Sequence, residues 1–171
     1  TADKTGSEIL MPLRWKIFRI ICIVQLLAAS LNALEKLFYV FINFSFSNIT
    51  GLLLFIAIML LCILGINLVN NNYPEEPVEG RQKKTFNRLF LLNLVLLTFL
   101  FGFIIAEIRS LHQFAGNLGT NFFGIPFSLL LIVLVYIAML ILQLIILYGL
   151  YQLRLELYSN FMKRKFEFEK T

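Results

Sequence analysis

Hydrophobic residues in this chain fall into four long runs that carry few charges, separated by shorter stretches rich in polar residues. The runs cover about 17–40, 51–70, 87–108 and 125–150, and an uncharged turn rich in Phe, Asn and Ser at 43–50 separates the first two. A helix needs about 20 residues to cross a hydrocarbon core of about 30 Å, and charges inside that core are costly. The pattern therefore predicts an all-α integral membrane protein, with four transmembrane helices in one domain covering 1–171.

The connections between these runs are short, so we expect two antiparallel helical hairpins that pack as a four-helix bundle. After the fourth run, apolar residues continue to recur every three or four positions, at Ile146, Leu150, Leu153, Leu157 and Phe161. This helical period predicts that the fourth helix continues into the cytoplasm as an amphipathic tail over 151–168. The tail either lies along the membrane surface or provides a docking face for a partner.

Composition places the chain outside the range of soluble domains. Hydrophobic residues make up 59% of it and charged residues 15%, whereas average globular chains are about 45–50% apolar and about 25% charged. The mean hydropathy of +0.82 agrees with a lipid solvent. We therefore expect a multi-pass integral membrane protein, located in a plasma or inner membrane.

Basic residues are distributed unevenly between the two sides of the predicted spans. Of the 15 lysines and arginines, 13 fall before or at the start of the first span, between the second and third spans or at the start of the third, or after the fourth. The positive-inside rule then places the N- and C-termini in the cytoplasm. The net charge of +5 fits anionic lipid headgroups as partners rather than nucleic acid. The residues expected to contact these headgroups are Arg14, Lys16, Arg19, Lys83, Lys84, Arg88, Lys163, Arg164 and Lys165.

One face of the first span is polar and small. Gln25, Ala29, Asn32 and Ala33 lie at helical spacing, and the rest of that helix is largely Leu and Ile. Such a face is expected to contact protein, because lipid does not satisfy polar groups. The third span carries a second pair of small residues, Gly102 and Ala106, so the first and third spans are possible neighbours.

The first and third spans also share a sequence pattern. Each begins after an arginine, carries an amide early (Gln25 and Asn93) and ends with an acid and a base. A basic residue begins any hairpin that obeys the positive-inside rule, so the match is weak support for an internal duplication.

Four charged residues mark the outer ends of these two spans. If the spans are neighbours, Glu35 and Lys36 lie at the same depth as Glu107 and Arg109. We expect an interfacial ion-pair cluster that locks the bundle, and the alternative is a proton or cation path. Replacing Glu107 by Gln distinguishes these, because a structural role predicts loss of assembly and a chemical role predicts loss of activity alone.

The fourth span carries Tyr136 and Gln143 on one face, seven residues apart. A hydroxyl and an amide in a membrane helix usually bind a neighbouring helix, so we expect both to hold the bundle together. Thr98 in the third span and Asn67 in the second are candidate partners.

No sequence motif in the chain indicates a particular reaction. Cys22 and Cys62 lie inside apolar runs, and His112 is the only histidine, so we expect no metal site and no cofactor. We expect an accessory or scaffold subunit of a larger membrane complex, which associates with other membrane subunits or with itself. The alternatives are a small oligomeric transporter or channel, and an intramembrane enzyme acting on lipid through Glu107, Arg109 and His112.

Overall fold

The computed structural model describes residues 13–71, 80–117 and 127–168, with side chains described except at 71, 80–83, 128 and 157–168. These residues form four α-helices and no strand: α1 (Leu13–Ile42), α2 (Phe46–Asn71), α3 (Gly80–Asn117) and α4 (Phe127–Phe168). With 26 to 42 residues each, the helices are between about 39 and 63 Å long at 1.5 Å per residue. Each contains a segment long and apolar enough to cross a membrane, as predicted, which indicates an integral membrane protein.

The connection between α1 and α2 is shorter than the predicted turn at 43–50. Only residues 43–45 lie outside the helices, because the Ser45 carbonyl already accepts a hydrogen bond from the Ile49 backbone N–H at 3.2 Å. The Asn48 side chain donates to the Asn43 carbonyl at 3.2 Å, which occupies a carbonyl that the end of α1 leaves free. The polar residues of this segment therefore serve as helix-end partners, and α2 begins at Phe46, five residues before the predicted start at 51.

Buried residues recur along the helices at alternating spacings of three and four. On α1 the buried positions include Trp15, Phe18, Cys22, Gln25, Ala29, Asn32 and Lys36. On α4 they include Tyr136, Met139, Gln143, Ile146, Leu150 and Leu153. This average period of 3.5 residues keeps one stripe of each helix facing its neighbours, as in left-handed helix bundles.

The four helices pack in a ring. α1 packs against α2 and α4, and α3 packs against the same two helices. Among the described residues, α1 and α3 do not approach each other closely through their backbones, so the direct packing of the first span on the third is not formed. The two helices are instead joined by side chains that reach across the interior.

The interior of the bundle is more polar than the outer surface of its apolar spans. Gln25, Asn32, Lys36, Asn93 and Gln143 are buried, whereas dozens of Leu, Ile, Val and Phe side chains are exposed on the outside. Between 28% and 44% of the residues in each candidate span are buried, so most side chains of these apolar segments are not buried inside the bundle. This arrangement fits a lipid solvent, in which exposed apolar groups carry no penalty.

The fourth helix is continuous from Phe127 to Phe168. Leu150 and Leu153 are buried, and Trp15 at the start of α1 donates a hydrogen bond to Glu156. The last part of α4 with described side chains therefore lies beside the start of α1.

Candidate functional site: the polar interior of the bundle

Three buried amides form a chain of hydrogen bonds through the middle of the bundle. Gln25 on α1 donates from Nε2 to Oε1 of Gln143 on α4 at 3.1 Å, and Gln143 donates from Nε2 to Oδ1 of Asn93 on α3 at 2.6 Å. Asn93 then donates to the Leu89 carbonyl of its own helix at 2.9 Å. The chain joins three helices, and it links α1 to α3 through α4.

Two side chains of α1 contact Met139 on α4. The second Nε2 hydrogen bond of Gln25 goes to the Met139 carbonyl at 3.1 Å, and Asn32 Nδ2 lies 3.3 Å from the Met139 sulfur. Asn32 also donates to the Ala28 carbonyl of α1 at 2.8 Å. Because Gln25 and Asn32 are seven residues apart, these contacts fix the register of α1 against α4 over two turns.

A lysine and a glutamate pair across the interior at one end of the bundle. Lys36 Nζ on α1 lies 3.4 Å from Glu107 Oε1 on α3, with side-chain exposures of 8% and 24% respectively. The ammonium also lies 5.4 Å from the ring centroid of Phe103 and 5.9 Å from that of Tyr136. Removing an ammonium from water is costly, and here a carboxylate and two ring faces offset the cost.

Three aromatic rings fill the interior beside Lys36. Phe55, Phe103 and Tyr136 come from α2, α3 and α4, and their ring centroids lie 5.6 to 5.8 Å apart in all three pairs. Gly51 on α2 makes room for the group, because a Cβ there would lie 3.0 Å from the Phe103 ring and 3.4 Å from Lys36 Cε. All four helices therefore meet at this level, and side chains occupy the centre.

Two buried polar atoms are left without a partner among the described residues. They are Oε1 of Gln25 and the hydroxyl oxygen of Tyr136. An unpaired polar group in an apolar interior costs free energy, so both atoms are possible contact points for something that the helices themselves do not supply.

The sequence predicted that Glu35 and Arg109 join this pair in a charge cluster. Glu35 is half-buried and Arg109 is exposed, and Lys36 with Glu107 is the ion pair that the described residues form there. His112 is exposed. In the described part of the chain no three His, Cys, Asp or Glu side chains are grouped so as to hold a metal ion, and Cys22 and Cys62 are free and buried.

The small and polar residues named for helix packing divide into two groups. Ala29 and Ala33 are buried in the interior together with Gln25, Asn32, Tyr136 and Gln143. Gly102, Ala106 and Thr98 on α3 are exposed, and an added Cβ at Gly102 would meet no atom within 4 Å. The Thr98 hydroxyl donates to the Leu94 carbonyl of its own helix at 3.1 Å.

The partners of Gln143 differ from those that the sequence suggests. Asn67 is exposed, as Thr98 is, and the amide partners of Gln143 are Gln25 and Asn93. Asn93 is not among the predicted site residues, and the structure places it in a buried stripe with Leu89 and Leu100. The only sequence signal for it was the early amide shared by the first and third spans.

Of the basic residues predicted to contact lipid headgroups, those that the structure describes lie near one end of the bundle. Arg14, Lys84 and Arg88 are exposed, and Lys16 and Arg19 are half-buried. The starts of α1 and α3 meet the late part of α4 there, through Trp15 with Glu156 and through Phe90 with Tyr151. The side chains of Lys83, Lys163, Arg164 and Lys165 lie outside the described residues.

Comparison with protein-family models, with curated proteins and with solved structures finds no match to this chain. Its function is therefore argued from its own residues.

Proposed function

We propose that this chain is a non-catalytic accessory or scaffold subunit of a larger membrane complex. The observation that carries the proposal is that the polar interior is used to join the helices to one another. The Gln25–Gln143–Asn93 chain and the Lys36–Glu107 pair each connect different helices, and the aromatic rings fill the space between them. A bundle stabilised in this way presents a rigid apolar surface to lipid and to neighbouring membrane proteins.

The topology that we propose is two antiparallel hairpins with both termini in the cytoplasm. The short connection at 43–45 and the packing of α3 on α4 support the hairpins. Basic residues at the starts of α1 and α3 support the orientation, since lysine and arginine are enriched on the cytoplasmic side. The same residues suit anionic headgroups of a plasma or inner membrane.

The length of α4 supports a role in binding another protein. Its 42 residues are about 63 Å long, roughly twice the hydrocarbon thickness of about 30 Å. The excess includes the predicted tail at 151–168, which we place in the cytoplasm as a docking helix.

The test is extraction of the full chain in a mild detergent, followed by native mass spectrometry and by measurement of the partner's cellular level. A scaffold is expected to travel with an unrelated membrane protein in a fixed ratio, and deleting the scaffold is expected to lower the partner's level. Replacing Lys163, Arg164 and Lys165 together by Ala is expected to weaken the complex while leaving the bundle folded. A homo-oligomer that conducts ions in liposomes would contradict the proposal.

A small oligomeric transporter is the second candidate, and a specific observation favours it. The Tyr136 hydroxyl and Gln25 Oε1 are buried without partners, and Lys36 with Glu107 places charge inside the bundle. Such groups are typical of ion or proton paths in membrane proteins. Ion flux in liposomes that is abolished by Lys36→Met, with assembly intact, would favour this alternative.

A further inference from the structure

An exposed row of side chains follows the outer face of α2. We call it the α2 row, and its members are Leu53, Ile56, Leu60, Ile63, Asn67 and Asn70. The four apolar members are between 40% and 62% exposed, so the bundle does not cover them. On one side of the row, Leu52, Met59 and Ile66 pack against the core of their own chain. The open surface is therefore a narrow strip with room for one further helix.

The spacing of the α2 row is the spacing that one partner helix requires. Its members lie alternately three and four residues apart. Side chains at this heptad spacing stay on one line along a neighbouring helix when the two helices pack with a left-handed twist. Lipid covers apolar side chains as well as a helix does, so the spacing fixes the geometry of a partner but does not by itself select one.

Two amides at one end of the α2 row distinguish it from a surface that faces only lipid. Asn67 and Asn70 are exposed, and neither forms a side-chain hydrogen bond within the part of the chain that the structure describes. Asn67 lies inside the apolar segment Phe46–Asn70, one turn from its end. The exposed hydroxyls of Thr50 and Thr98, in contrast, donate to carbonyls of their own helices. Lipid chains offer an amide no partner, so Asn67 calls for a neighbouring helix.

The chemistry of Asn67 suits a second copy of this chain. Copies in one membrane share one orientation, so a two-fold axis along the membrane normal brings residues of equal depth together. The two Asn67 side chains then meet each other. An asparagine amide both donates and accepts hydrogen bonds, so it is its own complement. An asparagine in such a row also fixes the register of the two helices, because any shift leaves both amides without partners.

We propose that the α2 row is the interface of a homodimer, in which two copies of this chain pack α2 against α2 in parallel. The two Asn67 amides hydrogen-bond to each other, and the leucine and isoleucine side chains interdigitate along the rest of the row. The homodimer does not rest on the scaffold function, and the two are compatible. Among the described residues α4 makes no contact with α2, so the dimer leaves α4 accessible to another protein.

The first measurement is the dimer dissociation constant of the full chain in liposomes. Energy transfer between chains that carry a donor or an acceptor dye at the C-terminus is followed over a range of protein-to-lipid ratios. Asn67→Leu should raise the dissociation constant by on the order of tenfold, the effect of one or two hydrogen bonds between membrane helices. Thr98→Val is the matched control, because it removes an exposed polar group from another span, and it should behave as the wild type. Circular dichroism checks that each variant is folded.

The second measurement is cysteine cross-linking in the same liposomes with copper phenanthroline. Leu60→Cys should give covalent dimers, because equivalent side chains of the row face each other across the two-fold axis. Leu144→Cys is the control, since Leu144 is also exposed but lies on α4. It should give no dimer above the level of the wild-type chain, in which Cys22 and Cys62 are buried.

A wild-type chain that stays monomeric at every protein-to-lipid ratio would overturn the proposal, and so would an Asn67→Leu variant that dimerises as the wild type does. Equal cross-linking of Leu60→Cys and Leu144→Cys would do the same, because it would show random collision. Cross-linking of Leu60→Cys to an unrelated chain in native membranes would also overturn it. Homodimer cross-linking in membranes from which no unrelated protein co-purifies would support the dimer and contradict only the scaffold function.

Discussion

Lys36 and Glu107 form an ion pair with 3.4 Å between Nζ and Oε1, although α1 and α3, the helices that carry them, lie diagonally opposite in the ring. The two long side chains reach across the interior, and the rings of Phe103 and Tyr136 lie beside the ammonium. Opposite helices are therefore coupled by side chains rather than by backbone packing. This coupling and the amide chain are the contacts that we expect to be most sensitive to substitution.

Removing Glu107 is expected to be more harmful than removing Lys36. Glu107→Gln removes the carboxylate partner of Lys36, whose side chain is only 8% exposed. Lys36→Met removes the partner of Glu107, whose side chain is 24% exposed and can be hydrated or protonated. We expect Glu107→Gln to lower the free energy of unfolding by up to roughly 3 kcal/mol, and Lys36→Met by less. The double variant should recover part of the loss. Unfolding by SDS titration, followed by circular dichroism, measures all three.

The matched control for this pair is Arg109→Gln, an exposed residue on the same helix. We expect it to change stability by less than about 0.5 kcal/mol. Equal destabilisation by Arg109→Gln and Glu107→Gln would show that the Lys36–Glu107 ion pair makes no specific contribution to stability.

Replacing Gln143 by Leu should destabilise the bundle because it breaks the amide chain at its centre. The change removes one of the two acceptors of Gln25 Nε2 and the donor to Asn93 Oδ1, and both amides are buried. Hydrogen bonds between membrane helices contribute about 0.6 kcal/mol on average, and two are lost, so we expect a cost of about 1–2 kcal/mol. The same SDS titration measures it. Thr98→Val, which removes a bond within one exposed helix, should cost far less.

Gly149→Ala and Gly102→Ala should act in opposite directions. At Gly149 the new methyl group would meet the Phe18 ring at 2.5 Å, so the ring must move, at a cost of about 1–3 kcal/mol. At Gly102 nothing lies within 4 Å, and the higher helix propensity of Ala should stabilise α3 by up to about 1 kcal/mol. Melting temperatures in one detergent compare the two variants. Destabilisation by Gly102→Ala would indicate that another chain packs against this face.

Tyr136→Phe separates the two proposed functions. The Tyr136 hydroxyl is buried and has no partner among the described residues, so its removal should leave stability unchanged or raise it by about 1 kcal/mol. A scaffold should retain its complex. If the variant instead folds normally but loses ion flux in liposomes, the hydroxyl serves a transport path. Tyr148→Phe, which removes an exposed hydroxyl, is the control.

Cysteine labelling in sealed vesicles tests the topology. Cys22 is 0% exposed and Cys62 is 2% exposed, so the wild-type chain should label slowly with an impermeant maleimide. We expect Lys170→Cys to react only from the cytoplasmic side and Asn117→Cys only from the opposite side. Labelling of both positions from one side would contradict the proposed arrangement of the spans.

The sequence by itself determined the class of protein and the number of apolar helices. Apolar runs with few charges at about 17–40 and 51–70 predicted segments that lie within α1 and α2, because a charge in hydrocarbon is costly enough to leave a visible pattern. The same reasoning predicted that polar residues of the first span face protein, and Gln25 and Asn32 are buried.

Only the tertiary structure decided which faces meet. Gly102 and Ala106 suit helix packing as well as Ala29 and Ala33 do, yet the first pair is exposed and the second buried. In water an apolar face must turn inward, but lipid is as apolar as the protein interior, so hydrophobic pattern does not select the inner face of a membrane helix. Close packing and hydrogen bonding select it, and Gln143 therefore binds Gln25 and Asn93 rather than Thr98 or Asn67.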